Sequence, residues 1–343
     1  MGTSRVRISG IDFISKLIKW DDLHMEIIYK PTQDEIKKAA KALKDGHLVA
    51  FPTETVYGLG ADATNEKAVS RIYTVKGRPT DHPLIVHISS ISQLYKWAIE
   101  VPEYAIKLAK NFWPGPMTLI LKRSPLAKDF ITGHQSLVGL RVPSHPISLM
   151  LIKELESLGI NGVAAPSANR FGAVSATSAS AVIEELGPFL SATDLVLDGG
   201  ASDIGIESTI IDCAGKFPRI IRPGLLSSEM IEEVCSVVLN FIPSDNSIKS
   251  SGLLNSHYSP TAQVVLEGQI LPGEGFFAMT EIETPLGAIR LGAPTNLAEF
   301  AKNLYAVLRL ADQKGLKRIK VIQPNGSGLA VAIRDRLVKA AAK

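Results

Sequence analysis

Residues 76–87 read KGRPTDHPLIVH, and this short run holds the densest set of chemically useful side chains in the sequence. Lys76, Arg78, His82 and His87 place several nitrogen donors in one turn and the segment after it. Arginine offers a planar fork that matches phosphate or carboxylate, and lysine offers a point charge. Such a cluster suits an anion, a nucleotide triphosphate before others; the alternative is a solvated basic loop. Further along, PSAN (166–169) puts small residues where a ligand could approach the backbone, and Ser167 and Asn169 could donate hydrogen bonds to phosphate. PTETVYG (52–58) places Thr53, Thr55 and Tyr57 after an apolar run, where α/β folds bind ligands. Arg141 ends the apolar stretch GLRVP, and a charge leaving an apolar strand needs a partner. GIESTI (205–210) and IIRPG (220–224) contribute Ser208 and Arg222. No GxSxG elbow and no credible covalent nucleophile occurs, and the seven histidines show no metal-ligand spacing. The chemistry these residues suit is therefore positioning and charge neutralisation, with Mg²⁺ brought in on nucleotide phosphates rather than on protein ligands.

Elements to carry these groups are legible in the pattern. Thr32 and Glu35 form a capping box for a helix with Ile36, Ala39, Ala40 and Leu43 on one face, stopped by Gly46. Leu48–Phe51 reads as a buried strand, and residues 52–63 as the loop after it. Glu66–Val75 is a second helix, followed by the basic cluster and a strand over Leu84–Ile88. Further strands are predicted over Met117–Leu121, Leu137–Val142, Ile160–Ala165 and Leu195–Leu197, with a helix over Ile147–Leu158. Pro102 opens another helix at its first position. Ser208–Asp212 and Arg219–Arg222 form a hairpin, and Ile231, Val234, Cys235 and Val238 share a helix face. GLGADA (58–63) fits a dinucleotide-loop pattern, but TETVYG separates it from the strand, so a nicotinamide site is not expected. WPGP (113–116) reads as a structural turn.

Residues 240–262 are rich in Ser, Pro and Asn without a period and read as an interdomain linker. Beyond it, strands over Gln263–Leu266, Phe276–Met279, Ala288–Leu291 and Arg318–Ile322 alternate with a helix bearing Leu297, Phe300, Ala301, Leu304 and Leu308, capped by Asn296 and Glu299. That alternation predicts a small α/β domain with a largely parallel sheet. Residues 1–24 mix basic and apolar residues without a cleavage site and are read as an extension; Met25 begins a strand–turn–helix pattern.

The 343 residues allow two domains, and 45% hydrophobic with 21% charged residues is ordinary for a globular chain with a core. A net charge of +3 is too weak to argue for nucleic acid by itself. Two cysteines, Cys213 and Cys235, build neither a disulfide framework nor a zinc site, so a reducing cytoplasm is the default. No apolar run reaches the roughly 18 residues that a membrane span needs.

In order, PTETVYGLG, KGRPTDHPLIVH, WPGPMTLIL, LRVP, AAPSAN, GIESTI and IIRPG closely resemble the YrdC-type threonylcarbamoyl-AMP synthases over roughly residues 28–238. SSGLLNSHYSP and the α/β tail are similar to the longer, two-domain members. The resemblance implies a YrdC-like twisted mixed sheet with helices over 25–239, the linker over 240–262, and a smaller Rossmann-like α/β domain over 263–343. It implies synthesis of L-threonylcarbamoyladenylate from L-threonine, bicarbonate and ATP with release of pyrophosphate. The product would pass to a threonylcarbamoyl transferase complex that modifies tRNA beside the anticodon, which leaves room for a weak tRNA contact. By position, Thr55, His87, Arg141, the Ala165 backbone and Ser208 would hold threonine. Arg78, His82, the Leu137 backbone, Ser167, Ser175 and Arg222 would hold ATP, Lys76 would stand beside the phosphates, and Tyr258 would reach back to the nucleotide, making the linker a lid. Lys76 and Arg78 would stabilise the departing pyrophosphate. Two departures stand out: Ser250-Ser251-Gly252 replaces a usual SPG, and His82 stands where Asn is frequent, giving a contact that titrates near neutral pH. A hydrogenase-maturation carbamoyltransferase shares this fold but needs zinc-finger cysteine pairs. An RNA-binding protein would need no threonine pocket.

Overall fold

The computed structural model describes residues 25–237 and 257–342. The extension over 1–24, Val238 on its predicted helix face, and most of the 240–262 linker lie outside the described residues. In chain order the first part runs β1 (Glu26–Tyr29), α1 (Gln33–Lys44), β2 (Val49–Phe51), β3 (Gly58–Asp62), α2 (Glu66–Lys76), β4 (Ile85–His87), α3 (Leu94–Trp97), α4 (Glu103–Phe112), β5 (Met117–Lys122), α5 (Asp129–Thr132), β6 (Leu137–Arg141), α6 (Pro146–Ser157), β7 (Val163–Ala164), α7 (Ala179–Leu186), β8 (Leu195–Asp198), β9 (Thr209–Asp212), β10 (Arg219–Arg222) and α8 (Ser228–Cys235). The second part runs β11 (Gln263–Val265), β12 (Gly275–Phe277), β13 (Ile289–Gly292), α9 (Leu297–Gln313), β14 (Arg318–Val321) and α10 (Leu329–Ala341).

One ten-stranded mixed sheet, ordered β1-β8-β2-β3-β7-β4-β6-β5-β9-β10, forms the spine of the first part. Helices take shape as their ends and faces demand. Thr32 and Glu35 complete the expected capping box on α1, worth about 1 kcal/mol, and Ile36, Ala39, Ala40 and Leu43 pack inward. Asn65 caps α2, and Gly77, at φ +61°, ends it in the left-handed conformation. That turn swings the chain so that Lys76 and Arg78 point into the molecule; both are buried.

Several sequence expectations need correction. GLGAD is a strand rather than part of a loop: β3 is antiparallel to β2 and to β7, and all five of its residues are buried. Small residues allow that close pairing, and sheet hydrogen bonds outweigh weak strand propensity. Pro102 stands one position before α4, as its N-cap. Strand β7 has only two residues, because the chain bends away at Pro166. On α9, Asn296 accepts from the Glu299 amide at 2.9 Å, but the Glu299 carboxylate binds the Thr295 amide and hydroxyl instead of closing a box. Helix α10 carried no distinct sequence signal beforehand.

The second part is a four-stranded sheet, β11-β14-β12-β13, with every pairing parallel. Helices α9 and α10 supply Phe300, Leu304, Leu308, Ile333 and Leu337 to its core. The same cluster takes in Val56, Val174 and Ile206 from the first part, so one apolar seam joins the two domains. Among the described residues, no helix is long and apolar enough to cross a membrane.

Candidate active site

The sheet brings distant sequence together. Parallel pairing of β4 with β6 sets His87 level with Arg141. Strand β7 runs antiparallel to β4 and leaves at Ala165, whose amide bonds to the Ile85 carbonyl at 3.0 Å. Strand β9 lies beside β5, and the Ser208 hydroxyl just before it meets Thr118 at 2.8 Å. The loop after β2 is folded by Thr53, whose hydroxyl donates to the Val56 carbonyl at 2.6 Å and accepts from the Val56 amide at 3.2 Å.

These elements enclose one cavity, walled by Thr55, His87, Arg141, Ala165, Ser167 and Ser208 on the sheet side, and closed by Arg222, Glu207, His257 and Tyr258. Its volume is about 40 Å³, far below the roughly 300–1,000 Å³ of a pocket that holds a drug-sized ligand, so ATP enters only if the walls separate. A larger, more open groove of about 910 Å³ lies around Tyr73, Arg123, Lys128, Phe130 and His134. The small cavity is the stronger candidate because buried charges and unpaired polar atoms converge on it. His87 Nδ1, His257 Nδ1, the Tyr258 hydroxyl and Asn169 Oδ1, all in or beside its wall, are buried with no protein partner. Buried polar groups are normally satisfied, so these four mark places where a ligand supplies the missing bond.

Arg141 is more committed than its sequence position suggests. Its Nη2 donates to Glu54 Oε1 at 2.6 Å, its Nη1 to Thr55 Oγ1 at 2.8 Å and its Nε to the Gly115 carbonyl at 3.3 Å. Burial would raise the Glu54 carboxyl, but Arg141 and the bonds it makes outweigh burial and hold it below the usual range. A substrate carboxylate therefore meets a fork already shared with Glu54. Burial, with Arg141 adding, pushes His87 down to about 3, so its imidazole is neutral at ordinary pH.

On the other side, Lys76 donates to the Ser167 carbonyl at 2.6 Å and to the Asn169 carbonyl, tying α2 to the PSAN loop. Burial and then Arg78 drive its amine well below the ordinary lysine range. Arg78 Nη2 donates to the Pro83 carbonyl at 3.0 Å and lies 5.6 Å over the Phe171 ring. His82 packs edge-on to that ring at 5.2 Å. Arg222 reaches Ser208 three ways, through Nε and Nη2 to its carbonyl and Nη2 to its hydroxyl. Ser175 donates to Glu207 at 2.6 Å, and Asn169 spends its amide nitrogen on the Arg170 and Ala173 carbonyls. Lys76, Arg78, His82, Asn169 and Ser175 thus flank the cavity rather than line it. Leu137 stands at the opposite end of β6 from Arg141 and packs with Ile85 against Ile120, Ile210 and Ile221.

Sequence reasoning passed over Glu54, Glu207 and His257. Each lies inside a motif already singled out, Glu54 between Thr53 and Thr55, Glu207 before Ser208 and His257 before Tyr258; a carboxylate or imidazole next to a selected position was the signal.

Comparisons with known proteins agree with this geometry. The Sua5–YciO–YrdC family, described as telomere recombination, matches residues 41–224, and the threonylcarbamoyl-AMP synthase C-terminal domain matches residues 226–342. The threonylcarbamoyl-AMP synthase of Pyrococcus abyssi is 40% identical over 325 residues, covering 89% of this chain and 94% of that protein. That of Bacillus subtilis is 38% identical over 328 residues, covering 90% and 93%. The crystal structure of P. abyssi Sua5 complexed with L-threonine superposes with a TM-score of 0.82 at 38% identity, covering 92% of this chain and 97% of that one. A large mixed sheet joined to a small parallel-sheet domain is the two-domain architecture of the Sua5 type. The chain belongs to the threonylcarbamoyl-AMP synthase family.

Proposed function

We propose that this protein makes L-threonylcarbamoyladenylate from L-threonine, bicarbonate and ATP, releasing pyrophosphate, for threonylcarbamoyladenosine modification of tRNA next to the anticodon. The observation that carries the reading is the single cavity that gathers Thr55, His87, Arg141 and Ser208 beside Arg222 and Tyr258, in a chain with a 40% identical synthase relative. The P. abyssi structure is complexed with L-threonine, and we assign the same ligand to the sheet side here. Arg141 would take the threonine carboxylate on the guanidinium edge shared with Thr55 and Glu54. Neutral His87, Ser208 and the Ala165 backbone would fix the amine and side-chain hydroxyl.

The threonine amine adds to the carbon of CO2 with loss of a proton, or to that of bicarbonate with loss of water, and gives a carbamate. A carbamate oxygen then forms a bond to the α-phosphorus of ATP as the bond to the β-phosphate bridging oxygen breaks and pyrophosphate leaves. Arg78, His82, Ser167, Asn169, Ser175, Arg222, Tyr258 and the Leu137 backbone are assigned to ATP, with Lys76 and Arg78 facing the leaving charge. Lys76 and Ser175 must then trade their present partners for the nucleotide. Mg²⁺ fits as an ion carried on the phosphates, because the carboxylate in the cavity wall, Glu207, and the one bonded to Arg141, Glu54, are each paired with an arginine. Held there, it would neutralise phosphate charge. The transferase complex is assigned as the acceptor of the product, with any direct tRNA contact weak, and the cytoplasm as the compartment.

The test is pyrophosphate release from ATP and Mg²⁺, with threonine and bicarbonate each added or omitted. Release that needs both is expected. Release without threonine, or none under any combination, overturns the reading.

A further inference from the structure

A single arginine of the C-terminal domain reaches two residues of the cavity wall and the neighbour of a third. Arg336, on α10, is fully buried. Its Nε donates to Glu207 Oε2 at 2.8 Å, and its Nη2 donates to the Pro223 carbonyl at 3.0 Å. Its guanidinium carbon lies 5.3 Å from the centre of the Tyr258 ring. Nη1 is held by Asp335 at 2.5 Å, which fixes the plane of the group. Each contact touches a neighbour of a residue assigned above. Glu207 precedes Ser208 and accepts from Ser175; Pro223 follows Arg222; Tyr258 lines the cavity itself.

The pair is built with care. Tyr305 of α9 adds a third bond to Glu207, at 2.9 Å. Burial works to raise the Glu207 carboxyl, yet Arg336, Arg222 and Ser175 together hold it down at about 2. The turn that presents Glu207 is pressed against the same domain. Gly205, at φ +80°, has no room for a side chain: a Cβ there would lie 2.5 Å from the Lys302 Cα of α9. Arg309 of α9 meanwhile binds Glu185 at 3.0 Å and the Val174 carbonyl beside Ser175. The loops that would hold nucleotide are therefore braced from the C-terminal domain, not only from the sheet that carries them.

A purely structural pair would join apolar surfaces anywhere along the seam. This one enters the wall of the cavity, and buried ion pairs add little net stability over apolar packing. Placement, rather than stability, is what it supplies.

We propose that Arg336 is a positioning residue for the nucleotide: by holding Glu207, the Pro223 carbonyl and the Tyr258 ring at once, it sets where Ser175, Ser208 and Arg222 stand and makes ATP use depend on the docked C-terminal domain. The inference rests on the synthase reading given above.

The test uses the full chain, with Arg336→Met, Arg336→Lys and, as a control, Phe300→Leu, which loosens the C-terminal core against Phe277 without touching the cavity. Pyrophosphate release is followed against ATP at saturating threonine and bicarbonate, ATP binding by calorimetry, and folding by thermal melts. Both Arg336 variants are expected to raise the KM and Kd for ATP about tenfold or more, because lysine cannot serve three partners at once. Phe300→Leu is expected to lower the melting temperature while leaving the KM within about twofold. Arg336 variants that fold and keep the wild-type KM and Kd overturn the proposal, as does an equal KM rise in Phe300→Leu. Should both Arg336 variants fail to fold, Tyr305→Phe removes one bond to Glu207 and keeps the ion pair. A roughly threefold rise in Kd for ATP is expected there, and an unchanged Kd overturns the proposal. A wild-type chain that binds ATP but releases no pyrophosphate refutes the synthase reading instead, and the Kd comparison still decides the role of Arg336.

Discussion

Two buried arginine–glutamate pairs each put one member, Arg141 or Glu207, into the cavity wall, and they are built in different ways. Arg141–Glu54, at 2.6 Å, lies wholly within the first domain: Arg141 ends β6, Glu54 follows β2, and the Ser144 amide adds a bond to the carboxylate. Arg336–Glu207, at 2.8 Å, joins α10 of the second domain to the turn before β9 of the first. The first pair forms when the ten-stranded sheet forms. The second exists only once two domains have docked. The wall proposed for threonine is thus a property of one fold, and the wall proposed for nucleotide a property of an interface.

Removing one partner of the first pair should have the largest effect. Arg141→Ala leaves Glu54 buried and unpaired, at a cost of about 3–5 kcal/mol, or a fall in melting temperature of roughly 10 °C at ~2–4 °C per kcal/mol. Threonine-dependent pyrophosphate release should drop on the order of a hundredfold or more. A melting temperature that does not move would mean that the first pair is no more part of the fold than the second.

Glu207→Gln should be milder, about 1–3 kcal/mol in denaturant titrations, because Asp335 stays with Arg336 and the amide keeps the shape. If it destabilises as much as Arg141→Ala, the distinction between fold pair and docking pair fails.

The histidines beside the pairs give a pH test. Burial depresses both His87 and His257 to about 3 in the folded protein, from an ordinary value of 6.5. Between those values the unfolded chain binds protons that the folded chain does not, so stability is full above about pH 6.5 and declines as pH falls toward 3. Glu207 adds to the loss between about 4.5 and 2, where the unfolded carboxyl takes up a proton and the folded one resists. The urea midpoint should fall between pH 7 and pH 5, and fall less in His257→Gln. An identical slope in that variant would remove His257 from the account.

The smallest change is expected from Tyr258→Phe. Its hydroxyl has no protein partner, so the melting temperature should stay within the equivalent of about 0.5 kcal/mol, while ATP turnover falls a few-fold through the lost ligand contact. Unchanged turnover would assign Tyr258 to packing alone, on its 5.5 Å stack with Tyr305.

Much of this was readable in the residues. Capping signals and apolar periodicity located α1, α2 and most strands, because those are local effects. Strand β3 was hidden because GLGAD resembles a turn until β2 and β7 supply its partners. Thr55, His87, Arg141 and Ser208, the residues proposed for threonine, were named from their motifs, and the sheet brings them to one cavity. What could not be read was who holds whom. Glu54 with Arg141, Glu207 with Arg336, and Lys76 with the PSAN carbonyls are contacts between residues far apart in the chain, set by register and docking rather than by any local pattern.

A cavity of about 40 Å³ whose walls must part for a nucleotide has a further consequence for the chemistry proposed there. Carbamates decompose and acyl-phosphate anhydrides hydrolyse when solvent reaches them, so walls that close again over the bound reactants would shelter both species. Walls that sheltered the proposed adenylate would also detain it, so release of the product would be paced by how often those walls part rather than by bond making.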